Sequence, residues 1–122
     1  MKFTDYFKKN FETSDNSVYK ELETRYYRAK MEDGMTAVKE MINEVKAKII
    51  DENEYYQEIL FETAQYSCTA KVTATTPVEI AIDFTITTFN FIGMLKGIKF
   101  IQSFYEIIDK KLTFKGTALY RG

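Results

Sequence analysis

Arg25, Tyr26, Tyr27 and Arg28 form the densest run of chemically capable side chains in the sequence. On an extended strand alternate residues face opposite ways, so each face would receive one guanidinium and one phenol. A guanidinium grips a carboxylate or phosphate through two parallel hydrogen bonds, and it also stacks on aromatic rings. Arg25 and Tyr27 are therefore the candidate ligand-binding residues, as anion and ring contacts. The plainer alternative is a strand whose Tyr rings line the core while Arg stays in water.

Other groups invite chemistry less strongly. Glu52, Glu54, Glu58 and Glu62 cluster near one hairpin, and paired carboxylates can divide acid and base roles. They lie in polar strings, so a solvated face accounts for them. Cys68 falls on the inward register of its strand, where a small core residue is expected rather than a reactive thiol. Gly93 and Gly97 have Gly-x-x-x-Gly spacing. Outside a lipid span this reads as a loop-to-helix transition at Gly93 and close packing of Gly97 on the sheet.

Absences narrow the function further. There is no histidine, so there can be no Ser/His or Cys/His nucleophile pair and no histidine metal site. Cys68 is the single cysteine, which removes intramolecular disulfides and Cys-x-x-Cys pairs. No phosphate-binding glycine loop, Gly-x-Ser-x-Gly or calcium loop occurs. The expectation is no catalytic residue, no metal and no cofactor. Seventeen basic residues against eighteen acidic ones give a net charge of −1, which argues against nucleic-acid binding.

Two surfaces are candidate partner interfaces. Phe3, Tyr6, Phe7 and Phe11 repeat at helical spacing, predicting a short helix over about 2–10. Thr69, Thr73, Thr85 and Thr87 mark the outward face of a central hairpin that could accept a partner chain. Packing of the aromatics on the domain itself, and the strand preference of Thr, are the plainer explanations. The aromatic stripe is short and its charge is diluted by Asp5 and Glu12, which argues against peripheral membrane contact. Residues 1–11 lack the apolar stretch of a signal peptide. The segment from Phe84 to Ile101 is broken by Asn90, Lys96, Lys99 and two glycines, so it is no membrane span. The expected location is the cytoplasm.

These residues need positioning elements. Leu22 to Met31 alternates like a strand, and Asp33-Gly34 stops it, with Asp33 placed to cap a helix over about 34–47. Val38, Met41, Ile42, Val45 and Ile49 supply that helix's apolar stripe. Strands follow near Lys48–Asp51, Tyr55–Thr63 and Tyr66–Ala74, and a further one starts at Val78. In the last two the even-numbered residues are apolar. A one-residue slip would turn a whole set to solvent, so the loop between them must hold an odd number of residues. Thr75-Thr76-Pro77 fits, placing Ala74 opposite Val78, Val72 opposite Ile80, Ala70 opposite Ile82 and Lys71 opposite Ala81. A helix over about 94–112 ends in Lys110 and Lys111, suited to the negative end of its dipole. Thr113 to Gly122 is expected to be a tail.

The chain has 122 residues, with 45% apolar and 29% charged content, as expected of one soluble domain. Residues 1–18 would form an N-terminal helix and loop, and 19–122 the body. The predicted class is α+β, ordered α-β-α-β-β-β-β-α: one antiparallel sheet of about five strands with two main helices on one face.

Leu22-x-Thr24-Arg25-Tyr26-Tyr27, the helix-then-hairpins order and Phe104-Tyr105-x-x-x-Asp109-Lys110-Lys111-Leu112 together resemble a family of small cytosolic bacterial proteins of unknown function, over about residues 20–118. The resemblance implies a sheet with two long helices on one face and brings no catalytic residues. The shape is also similar to the helix-on-sheet domains of outer-membrane assembly lipoproteins, without a lipid-attachment cysteine near the N-terminus. The expected function is a non-enzymatic binding or protein-interaction module, with a homodimer as its simplest form. The alternative is a small-molecule site, catalytic or not, between the sheet and the C-terminal helix.

Overall fold

Two strands that share one neighbour organise the molecule. The computed structural model describes residues 10–17, 19–89 and 94–117. Strand β1 (Asn10–Glu12) and strand β2 (Arg25–Arg28) both pair antiparallel with β6 (Glu79–Thr88), β1 beside Thr85–Thr87 and β2 beside Glu79–Ile82. Between them the chain makes an excursion that includes a 3₁₀ turn at Lys20–Leu22. Its two ends are pinned to one carboxylate, because the hydroxyls of Thr13 and Thr24 both donate to Asp83 Oδ1. Thr13 Oγ1 in turn accepts the Phe84 N–H at 2.9 Å.

The other elements are α1 (Met31–Glu44), β3 (Lys48–Asn53), β4 (Glu58–Glu62), β5 (Tyr66–Thr76), α2 (Met94–Asp109) and β7 (Thr113–Thr117). The sheet runs β3-β4-β5-β6-β2-β7, with β1 also on β6. The fold is α+β with one open antiparallel sheet of seven strands and two helices, where the pattern predicted about five strands. β1 lies where a helix and loop were expected, and β7 where a tail was expected. Both are short strands that complete an open edge, so their own residue pattern carries little signal. Phe3, Phe7, Gly93 and positions 2–9 of the expected helix lie outside the described residues, and Asn10 begins β1.

Both helices pack on the face that carries the apolar residues of β5 and β6. Val38, Met41 and Ile42 of α1, Ile101, Phe104 and Ile108 of α2, and Ile80, Ile82, Phe84 and Ile86 of β6 are all buried. Each such side chain stabilises the fold by about 1.5–3 kcal/mol through burial alone. Two glycines permit the approach. A Cβ on Gly34 of α1 would strike Ile80 and crowd Val72, and one on Gly97 of α2 would lie 2.7 Å from the Phe11 ring.

α1 begins three residues earlier than predicted, so Asp33 sits inside its first turn beside Glu32 instead of capping it. Lys30 occupies the N-cap without a side-chain bond. The acidic first turn still favours the positive end of the dipole. At the other end Lys46 adopts φ 61°, with its N–H bonded to Asn43 O and the Ala47 N–H to Ile42 O. That is a Schellman stop with Lys where Gly is usual.

In the β5–β6 hairpin the even residues Tyr66 to Val72 and Ile80 to Ile86 face inward as predicted, while Ala74 near the turn is exposed, and the register lies two residues away. Val72 opposes Ile82, Ala70 opposes Phe84 and Lys71 opposes Asp83. Thr76 pairs with Glu79, leaving Pro77-Val78 as the turn, and an irregularity between Ala74 and Thr76 absorbs the odd residue. Proline fits that turn position and cannot donate to a ladder. Val78, expected inward, is consequently exposed.

Candidate functional site

Register places Arg25 opposite Ile82 and Tyr27 opposite Ile80, so both face the helices. There they meet the last turns of α2. Arg25 Nη2 donates to Asp109 Oδ2 at 2.9 Å, and the Tyr27 hydroxyl donates to Asp109 Oδ1 at 2.7 Å. The Arg25 guanidinium lies over the Phe114 ring at 4.0 Å and near the Tyr105 ring at 5.4 Å. Phe114 of β7 also packs edge-on against Tyr27 at 5.9 Å. One turn before Asp109, the buried Tyr105 hydroxyl donates to Ile82 O at 2.7 Å.

Sequence reasoning singled out Arg25 and Tyr27. It missed Asp109, Tyr105 and Phe114, which come from α2 and β7. The only sequence signal for two of them was the Phe104-Tyr105-x-x-x-Asp109 motif noted for its resemblance.

The geometry limits what this cluster can do. Tyr27 is fully buried, so it touches no ligand from solvent. Burial foremost, then the hydrogen bond to Asp109, push its phenol far above the usual range and keep it protonated. Both Asp109 oxygens are occupied, and Arg25 is already neutralised. A phenol held protonated and a carboxylate with both oxygens engaged make a fastening between β2 and α2, not an acid–base pair. Beside it opens a cleft of about 360 Å³ lined also by Lys20, Glu21, Gln102 and Glu106. Two positive and three negative side chains line it, which disfavours the free anion expected for Arg25. The Arg25 Nε is buried and makes no hydrogen bond.

The other candidate groups are separated. Glu52 pairs with Lys39 of α1 at 2.9 Å, while Glu58 reaches Lys71 at 4.0 Å. Glu62 stands opposite Lys48 and Ser67. Among the described residues no three His, Cys, Asp or Glu side chains are grouped to hold a metal. Cys68 is buried and its thiol is pushed well up by that burial. Phe11 lies in β1 and is buried against Gly97, so it serves the core and not a partner. Thr69, Thr73, Thr85 and Thr87 share the outer face, with Thr69 opposite Thr85 and Thr87 bonded to Asn10 at 2.8 Å. No helix among the described residues is long and apolar enough to cross a membrane.

The β3–β4 hairpin carries a surface that the sequence did not flag. Ile49, Ile50, Tyr55 and Tyr56 are all exposed, Tyr55 to 86%. The turn is fixed rather than loose. Asn53 Oδ1 accepts the Tyr56 N–H at 3.0 Å, Gln57 Nε2 donates to Glu54 O at 2.8 Å, and Gln57 adopts φ 54°. The two tyrosine rings stack edge-on at 4.8 Å.

At the far end of β3 lies a groove of about 470 Å³ between the end of α1, the β4–β5 turn and α2, lined by Val45, Lys46, Thr63, Tyr66, Phe100 and Phe104. Tyr66 packs on Phe100 at 4.6 Å, and burial pushes its phenol up to about 12.

Comparison with family models, curated proteins and solved structures gives no match to this chain.

Proposed function

We propose that this chain is a protein-interaction module that docks through its β3–β4 hairpin. One observation carries the reading. Four large apolar or aromatic side chains, Ile49, Ile50, Tyr55 and Tyr56, stand exposed on a single well-fastened hairpin at the sheet edge. Tyrosine presented on a rigid turn offers large contact area at low entropic cost. The Arg25–Tyr27–Asp109 cluster, by contrast, spends its polar groups on itself.

The test is affinity capture with the wild-type chain and two variants. A protein retained by the wild type, whether another chain or a further copy of this one, should be lost with Tyr55→Ser/Tyr56→Ser. It should be kept with Gln102→Ala at the cleft. Capture indifferent to the hairpin change removes the reading.

A second reading rests on the 360 Å³ cleft beside Arg25, whose buried Nε has no hydrogen-bond partner. In it the cleft holds a small polar molecule of neutral or positive charge. Native mass spectrometry would show an adduct that disappears with Gln102→Ala and Lys20→Ala. A bare mass in the wild type speaks against it.

A further inference from the structure

β3 ends the sheet, with β4 on one side and no strand on the other among the described residues. Such an edge offers unpaired backbone groups to a further strand. Bulges and charges usually guard an edge, and β3 has both, with a bulge between Ile49 and Asp51. Here the bulge does something more specific. Lys48 opposes Glu62 and Asp51 opposes Leu60, so both stand on the sheet face away from the helices. Without the extra residue, positions three apart would point to opposite faces. Neither Lys48 nor Asp51 makes an ion pair among the described residues, whereas Glu52 on the helix face is held by Lys39.

We infer that β3 is the self-pairing edge of a two-fold dimer, in which the β3 strands of two copies run antiparallel with Lys48 of each opposite Asp51 of the other. This rests on the interaction reading and names its partner as a second copy. The strand is complementary to itself in that register. Two reciprocal opposite-charge pairs form on the outer face, and Ile49 of each copy opposes Ile50 of the other, covering side chains exposed to 41% and 44%. Opposite charges and β-branched pairs directly across a ladder are the stabilising combinations, and like charges there are repulsive. A register two residues longer sets Lys48 opposite Asn53 and leaves Asp51 without a basic partner, so the charges select the alignment.

The hairpin tips add a second contact. Each tip continues past the dyad toward the α1–β3 turn of the other copy. At the rise of an extended strand, Tyr55 and Tyr56 lie at most about 18–21 Å along the strand from the dyad, and Val45 and Lys46 at most about 12–15 Å. The exposed tyrosines of one copy are therefore carried past the α1–β3 turn of the other, on the side where its aromatic-lined groove opens.

Sedimentation equilibrium on the full chain tests the pairing through charge exchange. The wild type should be a dimer. Lys48→Asp alone, or Asp51→Lys alone, should weaken dimerisation about tenfold, and the double exchange should restore most of the loss. Both residues are exposed, so circular dichroism should show all three variants folded like the wild type. Three results overturn the inference: a monomeric wild type, a dimer unaffected by single exchange, or a double variant as weak as the singles. A monomeric wild type that still captures a hairpin-dependent partner removes only the self-pairing. Loss of hairpin-dependent capture altogether removes the interaction reading as well.

Discussion

The Tyr27 hydroxyl donates to Asp109 Oδ1 at 2.7 Å across 82 residues of sequence, tying strand β2 to the last turn of α2. The other carboxylate oxygen takes Arg25, so a single side chain satisfies two donors from one strand. Stability, and not turnover, is where this contact should show.

Tyr27→Phe is expected to lower stability by about 1.5–2 kcal/mol, the lower part of the range for a hydrogen bond to a charged group, because Asp109 keeps some access to water. Urea denaturation gives the value. Combined with Asp109→Ala, the loss should be less than additive, since both changes remove the same bond.

Asp83 should make stability depend on pH. Desolvation by burial, the largest influence, raises its pKa above the ordinary 3.8, against the hydrogen bonds from Thr24 and Thr13 that lower it; Asp15 and Glu12 push it further up. The folded protein therefore holds this proton more tightly than the unfolded chain. Its contribution is fully present below 3.8 and is lost as pH rises through the raised folded value. Asp83→Asn keeps an acceptor for both threonines and should flatten that fall, measured as urea midpoints between pH 3.5 and 7.

Gly97→Ala should destabilise, despite a helix-propensity gain of up to about 1 kcal/mol. The new methyl would sit 2.7 Å from the Phe11 ring, and overpacking costs about 1–3 kcal/mol. Adding Phe11→Leu should recover part of the loss. An unchanged melting temperature in Gly97→Ala would show that β1 yields instead.

Lys46→Gly should stabilise by about 0.5–1 kcal/mol, because a left-handed residue costs a side-chain-bearing amino acid about 1–2 kcal/mol and part of the gain is returned as glycine entropy. Thermal unfolding of the variant reads it directly.

Much of the fold was legible in the residues. The alternation of β5 and β6 named the core side chains Cys68, Ala70, Val72, Ile80, Ile82, Phe84 and Ile86, because period-two burial leaves only one face free to be apolar. The 3.6-residue stripe of α1 located Val38, Met41 and Ile42 for the same kind of reason. Register was legible only to its parity. Which of two even offsets is used depends on how Thr76-Pro77-Val78-Glu79 closes, a choice made by turn geometry.

The candidate site was half legible. Arg25 and Tyr27 announce themselves by type and spacing on one strand. Their partner Asp109 is an ordinary carboxylate near a helix end until α2 lies across β2, and Phe114 is a lone aromatic until β7 fills an open edge. The exposure of Ile49, Ile50, Tyr55 and Tyr56 was not legible at all, since apolar residues in a strand read as core wherever the strand lies. Local periodicity thus determined which residues bury and in which element. The tertiary structure alone decided which strands stand at the edge, and with that which apolar side chains are left facing water.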